Sequence, residues 1–383
     1  MDNHFDVIVV GGGVIGSLTA RRLGRAGRTV LLLESGALGR QSSAAAAGML
    51  GAQLEMDEPG PLYRLGIESR GLFARLSEEL LAETGIDIEL TTNGILRIAA
   101  TSEEEAELKA ALAWQKAAGQ RGEWVDGRNV ARLEPCLAQP AGALFLPDDG
   151  NVSAPRLAEA AAAAAARVSA VHEGEAVLSI VAQGLHVLVR TNRGLYSADS
   201  AIVAAGAWSD QMLEARDRFG VKPVKGQMFA IRPKPGVRLQ HTVFRHGAVY
   251  LVPKRDGSIV VGATMEPEAG YRREVTVDAL QRLSSALREV APGLMDAQFE
   301  RAWTGLRPMA GVGWPVIGPL PEEPRVILAT GHLRNGVLLA PITAEIVASY
   351  VEGGVYAGGG GVAADWAALT PAARENVALG PAV

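Results

Sequence analysis

A chain of 383 residues is long enough for two domains of ordinary size, each able to bury its own core. With 48% hydrophobic and 21% charged residues it has the balance of a globular protein, and a net charge of -5 offers no electrostatic reason to approach nucleic acid or an anionic membrane. Cys136 is the single cysteine, which excludes an intramolecular disulfide and points to a reducing compartment.

The polar, acidic start from Met1 to Asp6 is unlike a signal peptide, and no apolar run nears the roughly 20 residues that span a bilayer. A cytoplasmic protein without nucleic-acid, membrane or metal partners is expected. Asp6-Val7-Ile8-Val9-Val10 opens the chain as a β-branched run of the kind buried on both faces of a sheet. It leads into Gly11-Gly12-Gly13-Val14-Ile15-Gly16, and helical spacing follows from Ser17 to Arg25. A second buried strand, Thr29 to Leu33, ends at Glu34. This strand, turn, helix, strand and acid form a complete dinucleotide-binding unit. Gly11 permits the tight turn, Gly13 lets backbone N–H groups approach a pyrophosphate, and Gly16 lets helix and strand pack closely. Glu34 stands where a carboxylate accepts hydrogen bonds from a ribose diol.

Next comes Gly39-Arg40-Gln41-Ser42-Ser43 and the small-residue stretch from Ala44 to Ala52. It reads equally as backbone laid against a flat ligand or as an Ala-rich helix start. Helices are expected from Leu62 to Thr84, Glu103 to Ala118 and Leu157 to Val168, and a strand at Gly94–Ile98. The alanine run inside the third helix reads as propensity and packing. Val177–Val181, Leu185–Thr191 and Leu195–Ser197 have the pattern of an antiparallel meander. The chain is strand-rich again from Val224 to Gly262, a helix is expected from about Val277 to Ala291, and no repeat of fixed period is present. Arg307 follows an apolar strand, Phe299–Gly305, and precedes Pro308. Its planar fork suits a carboxylate ligand, although a structural salt bridge is the other reading. Val326–Ala329 is a further buried strand, feeding the Gly331–Pro341 loop and a helix that reaches about Val351. Gly353-Gly354 and Gly358–Gly361 suggest a flexible connection.

These landmarks, in this order, resemble the D-amino-acid oxidase superfamily of flavoproteins, and within it the bacterial glycine oxidases of thiamine biosynthesis. The markers are Ser42-Ser43 with Ala46–Ala52, then Val203–Ser209, Val224–Gln227, Gly262–Met265, Trp303–Pro308 and Gly331–Pro341. The resemblance implies an α/β fold: a Rossmann-like FAD-binding domain interleaved with a smaller α+β substrate domain on a mainly antiparallel sheet. It implies segments 1–80, 150–215 and 315–383 for the first domain, and 81–149 and 216–314 for the second. The cofactor would be non-covalent FAD. Gly11, Gly13, Val14, Ile15, Gly16, Glu34 and Ser35 would hold one end, and Ser42, Ser43, Ala47, Gly48, Met49, Val177 and Gly206 would also contact the cofactor. His332, Leu333, Arg334, Asn335, Gly336, Val337 and Leu338 would hold the other end, where a helix start stabilises negative charge. Arg307 and Tyr250 would grip the substrate carboxylate, with Arg334 nearby. His332 is not expected to serve as a base, since a substrate ammonium can lose its proton to solvent.

Sarcosine oxidases resemble the chain too, but attach flavin through a cysteine after the arginine strand, where Pro319–Glu323 holds none; Cys136 is expected to be a packing residue in a helical stretch. Met265 stands where those enzymes place a lysine, and Val312 where the family commonly has aspartate. Oxidation of glycine or a similarly small amine by O2, giving H2O2, is the activity implied, with sarcosine or D-alanine as other substrates. A quinone-linked D-amino-acid dehydrogenase is the alternative. A flavin module of RNA modification lacks support in charge and length, and an FAD-binding protein without catalysis is disfavoured by Arg307 and Tyr250. Thiazole-synthesis proteins as partners and a homotetramer are further implications of the resemblance.

Overall fold

The three runs read as buried strands, Asp6–Val10, Thr29–Leu33 and Val326–Ala329, become interior strands of the first of two large sheets. The structure, a computed structural model, describes residues 4–56, 58–311, 313–354, 356 and 366–374. The chain starts with β1 (His4–Val10), α1 (Val14–Arg25) and β2 (Val30–Glu34), then α2 (Ser42–Ala45), β3 (Met49–Leu50) and α3 (Pro61–Thr84). It continues through β4 (Ile95–Ala99), α4 (Ser102–Ala117), β5 (Glu123–Asp126), α5 (Gly127–Leu133), β6 (Gly142–Leu146) and β7 (Gly150–Asn151). There follow α6 (Ala154–Ala166), β8 (Ala170–Glu173), β9 (Val177–Gln183), β10 (His186–Thr191) and β11 (Leu195–Val203). Next are β12 (Lys222–Arg232), β13 (Thr242–Arg245), β14 (Val249–Pro253), β15 (Ile259–Gly262), α7 (Val277–Val290) and β16 (Gln298–Met309). The last elements are β17 (Val316–Pro319), β18 (Val326–Thr330), α8 (Ala340–Val351) and α9 (Pro371–Arg374).

The first sheet runs β17-β18-β11-β1-β2-β8, parallel from β18 to β8, with β17 antiparallel at the edge. Its central strands are apolar on both faces because both are covered. Val7, Val9 and Leu32 pack beneath α1, α3, α6 and α8, while Ile8, Leu31 and Leu33 lie in a separate cluster with Ile180 and Val189 of the β9–β10 meander. The alanine run of α6 is packing: Ala160, Ala161, Ala164 and Ala165 are almost fully buried, and a side chain on Gly24 of α1 would meet Val168 just beyond α6.

The second sheet runs β16-β12-β15-β14-β13-β4-β6-β5 and is antiparallel except between β13 and β4. Leu283 and Leu287 of α7 belong to the same core as Leu251 and Val261 of this sheet. The amphipathic pattern of the other long helices is equally well placed: α3 buries Leu65, Phe73, Leu76 and Leu80 along one face.

Three local expectations need correcting. The strand before Arg307 does not stop at Gly305: the long antiparallel ladder with β12 carries β16 to Met309, so Arg307 is a strand residue paired with Val224. The third meander strand does not end at Ser197 but runs to Val203, because β1 pairs with its continuation. Cys136 lies in a turn after α5, not in a helix; it is buried against Gly293, and burial pushes its thiol up to about 11. Val312 and the Gly358–Gly361 run lie outside the described residues. Among the described residues no helix is long and apolar enough to cross a membrane.

Candidate functional site

The turn after β1 is built from close approaches that only glycine allows. A Cβ on Gly11, whose φ is +103°, would fall 2.5 Å from the Ala204 carbonyl oxygen, and one on Gly16 would fall 1.9 Å from that of Gly11. The start of α1 is thereby pressed onto the turn. Gly13 caps that helix without a side-chain acceptor of its own, and the Val14 N–H donates instead to Ser43 Oγ at 2.9 Å. At the end of β2, the buried Glu34 accepts the Gly12 N–H at Oε2 and the Gly36 N–H at Oε1, each at 2.8 Å. The carboxylate therefore braces the turn; Oε1 also accepts the Ser35 hydroxyl at 3.3 Å, and Oε2 keeps a lone-pair direction for a further donor.

This turn opens into a cavity of about 1140 Å3, above the roughly 300–1,000 Å3 typical of drug-sized ligand pockets and so roomy enough for a dinucleotide with a small substrate. The residues that the sequence reading placed around a cofactor all line it except Gly16, which lies packed beneath the turn. Its walls include Glu34 and Val177 at one end, the Ser42–Met49 segment, and the His332–Leu338 loop ahead of α8. Two buried polar atoms of that loop, His332 Nδ1 and Asn335 Oδ1, have no hydrogen-bond partner among the described residues. Unpaired buried groups of this kind fit a polar ligand edge. His332 itself is almost fully buried, with Nε2 3.0 Å from Thr343 Oγ1, and burial pushes its pKa down to about 3. It is neutral at ordinary pH.

The Ser42–Met49 segment is tied down from behind. Lys254 Nζ donates to the Ala47 carbonyl at 2.6 Å, to Asn151 Oδ1 at 3.0 Å and to the Val152 carbonyl at 2.9 Å. Gly48, at φ +81°, lies so close to the same strand that a Cβ would sit 2.1 Å from the Val152 carbonyl oxygen. Burial pushes the Lys254 ammonium down to about 7, with Glu89 and Asp256 opposing the shift.

The wall opposite is the second sheet, where β16, β12, β15 and β14 lie side by side. Arg307 leans from β16 across Gly226 of β12, and its Nη1 donates to the Thr264 carbonyl at 3.1 Å. Tyr250 leans from β14 across Gly262 of β15, where an added Cβ would fall 2.7 Å from its hydroxyl oxygen. Two glycines on the middle strands thus form a flat floor, and the side chains from the flanking strands converge over it. Burial raises the Tyr250 phenol against the opposing pull of Arg307, so it stays protonated and able to donate. Arg334 shares the cavity, but its Nε stands 3.1 Å from Oε2 of Glu55, a carboxylate only 7% exposed. Met265 also lines the cavity.

The structure therefore brings Arg307, Tyr250 and Arg334 into one chamber with the dinucleotide cradle. Sequence reasoning has Gly226 and Gly262 only as parts of family markers, with no role in the site, and lacks Lys254 and Glu55. Glycines inside strands mark close approach of another group, so Gly226 and Gly262 carried a signal that went unused; Lys254 and Glu55 carried none.

The DAO family, described as FAD dependent oxidoreductase, matches residues 6–350. A glycine oxidase of Geobacillus kaustophilus is 37% identical over 357 residues, covering 92% of this chain and 94% of the relative. The crystal structure of glycine oxidase from Geobacillus kaustophilus superposes with a TM-score of 0.91 at 35% identity and covers 99% of both chains. A Synechocystis protein named bifunctional protein ThiO/ThiG is 33% identical over 92% of this chain and 52% of its own length.

Proposed function

The chain belongs to the DAO family of FAD-dependent oxidoreductases and is an FAD-dependent amino-acid oxidase; on that footing we propose that it oxidises glycine, and other small amines such as sarcosine or D-alanine more weakly. The observation that carries the reading is the convergence of Arg307 and Tyr250 over the Gly226–Gly262 floor, inside the cavity that the Gly11 turn and Glu34 open into. In this reading the residues around the two sheets form two discontinuous domains with the boundaries expected from the sequence.

The Gly11–Ile15 turn would hold the pyrophosphate of FAD, Glu34 a ribose diol and the His332–Leu338 loop the ring end. The cofactor's chemistry, when bound, is acceptance of a hydride from the substrate α-carbon and delivery of the electron pair to O2, giving H2O2. The protein's own residues do the rest. Arg307 donates through its guanidinium to the substrate carboxylate, and the protonated Tyr250 hydroxyl donates to the same group. This fixes the carboxylate end of the substrate. No side chain needs to take the amine proton: His332 is buried and neutral, and the substrate ammonium can lose its proton to solvent. The imine leaves and is hydrolysed to a 2-oxo acid and ammonia, or is consumed by a thiazole-forming enzyme. The fused ThiO/ThiG relative supports that second fate.

The test is a panel of glycine, sarcosine and D-alanine, with O2 uptake and H2O2 formation measured together. Peroxide formed in step with O2 uptake, fastest per unit concentration with glycine, is expected. Bleaching of the yellow colour by substrate with little O2 uptake would place the protein among dehydrogenases that pass electrons to a quinone.

A further inference from the structure

Away from the cavity, the first sheet gathers two imidazoles around one carboxylate. His4 pairs with Ser197 in the parallel ladder between β1 and β11. Ser197 and Asp199, two residues apart on β11, point to the same face. On the other side of β11, Val187 pairs with Ala198 in the antiparallel ladder with β10, which sets His186 against Asp199 one step further on. The side chains meet above the sheet. Asp199 Oδ1 stands 3.3 Å from His4 Nε2 and 3.3 Å from His186 Nδ1, and one donor atom from each residue lies within 4.8 Å of the other two. None of the three lines the cavity.

Donor atoms bound tetrahedrally at 2.0–2.1 Å from one ion stand about 3.3 Å apart, which is the spacing of both imidazole nitrogens from Asp199. His4 also has a partner behind it: its Nδ1 lies 3.0 Å from Ser197 Oγ. A hydroxyl there can accept the Nδ1 proton, the tautomer that leaves the Nε2 lone pair free for an ion, as in metal-bound imidazoles held from behind. Without an ion, each imidazole can turn one N–H toward Asp199; the two ring centres lie 4.8 Å apart. One divalent ion answers all three donors at once. The strands that carry them are held by main-chain pairing, so little ordering is needed, and the exposed position leaves coordination sites for water.

We propose that His4, His186 and Asp199 form a binding site for a borderline first-row divalent ion, with Zn2+ as the representative, that clips the start of β1 to the β10–β11 hairpin. Two nitrogens and one carboxylate oxygen suit Zn2+, Ni2+ or Cu2+ and not the all-oxygen preference of Mg2+ or Ca2+. Because β1 runs directly into the Gly11 turn, the clip steadies the strand beneath the cofactor without touching the chemistry.

The experiment uses the full-length, FAD-loaded protein, free of affinity tags and stripped of metal. It is titrated calorimetrically with ZnCl2 and, separately, with MgCl2. Saturable binding of one Zn2+ per chain is expected, with none detected for Mg2+, and at least tenfold weaker Zn2+ binding in His186→Asn and in Asp199→Asn. Zn2+ should raise the thermal midpoint of the unaltered protein and not of the two variants, while glycine turnover of both variants stays unchanged. Absence of saturable Zn2+ binding overturns the proposal. Unweakened binding in the two variants overturns it as well, because the ion would then sit on other histidines.

Discussion

The guanidinium of Arg307 lies directly over Gly226, so close that a methyl group on that α-carbon would come within 2.3 Å of Nη1 and 2.4 Å of Nη2. Strand β12 thus needs a residue without a side chain where β16 sends its arginine across the sheet. Gly226→Ala is expected to push Arg307 out of its bond to the Thr264 carbonyl. Charge-assisted hydrogen bonds contribute about 1.5–3 kcal/mol each, so loss of one should raise KM for glycine about tenfold or more. FAD content and its absorption spectrum should stay normal. Steady-state kinetics beside a flavin spectrum checks this, and an unchanged KM would remove Arg307 from the carboxylate site.

The two cavity arginines should not be equivalent. Arg334 is paired with Glu55 at 3.1 Å, whereas no carboxylate stands within ion-pair reach of Arg307 among the described residues, and its guanidinium donates to a neutral carbonyl, that of Thr264. Arg307→Ala is expected to raise KM for glycine by two orders of magnitude or more, on the order of both bonds of the fork being lost. Arg334→Ala should change it by less than about tenfold, because part of that charge is already answered. Parallel kinetics of the two variants decides, and equal effects would contradict the division of labour.

Glu34 braces the Gly12 and Gly36 N–H groups and also lines the cavity. Glu34→Ala should weaken FAD binding about 10- to 100-fold, the equivalent of one charge-assisted bond and a loosened turn. Titration of the apoprotein with FAD, followed by protein fluorescence, reads the constant directly. Retention of full affinity would mean that the ribose is held elsewhere.

Lys254 provides a prediction with a sign. Burial lowers its pKa to about 7 in the folded protein, while the unfolded chain holds the same proton up to about 10.4. Between these values the unfolded state binds more protons, so stability rises with pH across that window and is lost as pH falls through 7. Chemical denaturation at pH 7 and pH 9.5 should show the unaltered protein gaining stability relative to Lys254→Met at the higher pH. The same variant frees the Ala47 and Val152 carbonyls, and a shifted flavin absorption spectrum should report the loosened segment. A stability difference that does not change with pH would mean that the three oxygens keep the lysine charged throughout.

The parts of this protein that could be read from its sequence are those completed within a short stretch of chain. The β1 turn, α1, β2 and Glu34 lie within about thirty residues, and each step leaves a mark: an apolar run, glycines at fixed offsets, helical spacing, an acid at the strand end. The same holds for the long helices, whose bounds differ from expectation by only a few residues. Arg307 was legible as a residue type that grips carboxylates, but its setting was not. The end of an apolar run was taken for the end of a strand, and the ladder to β12 overrode it.

What only the tertiary structure decided is held by contacts with no period in the chain. Arg307 finds its floor at Gly226 because of the register between β12 and β16, and Tyr250 finds its own at Gly262 because of the register between β14 and β15. Lys254 reaches the Ala47 carbonyl across 207 residues of sequence. Composition and local spacing place each residue on an element and a face. Which distant backbone it then touches depends on how two sheets pair and pack, and that long-range register turns a legible cofactor cradle into a chamber with its carboxylate grip in place.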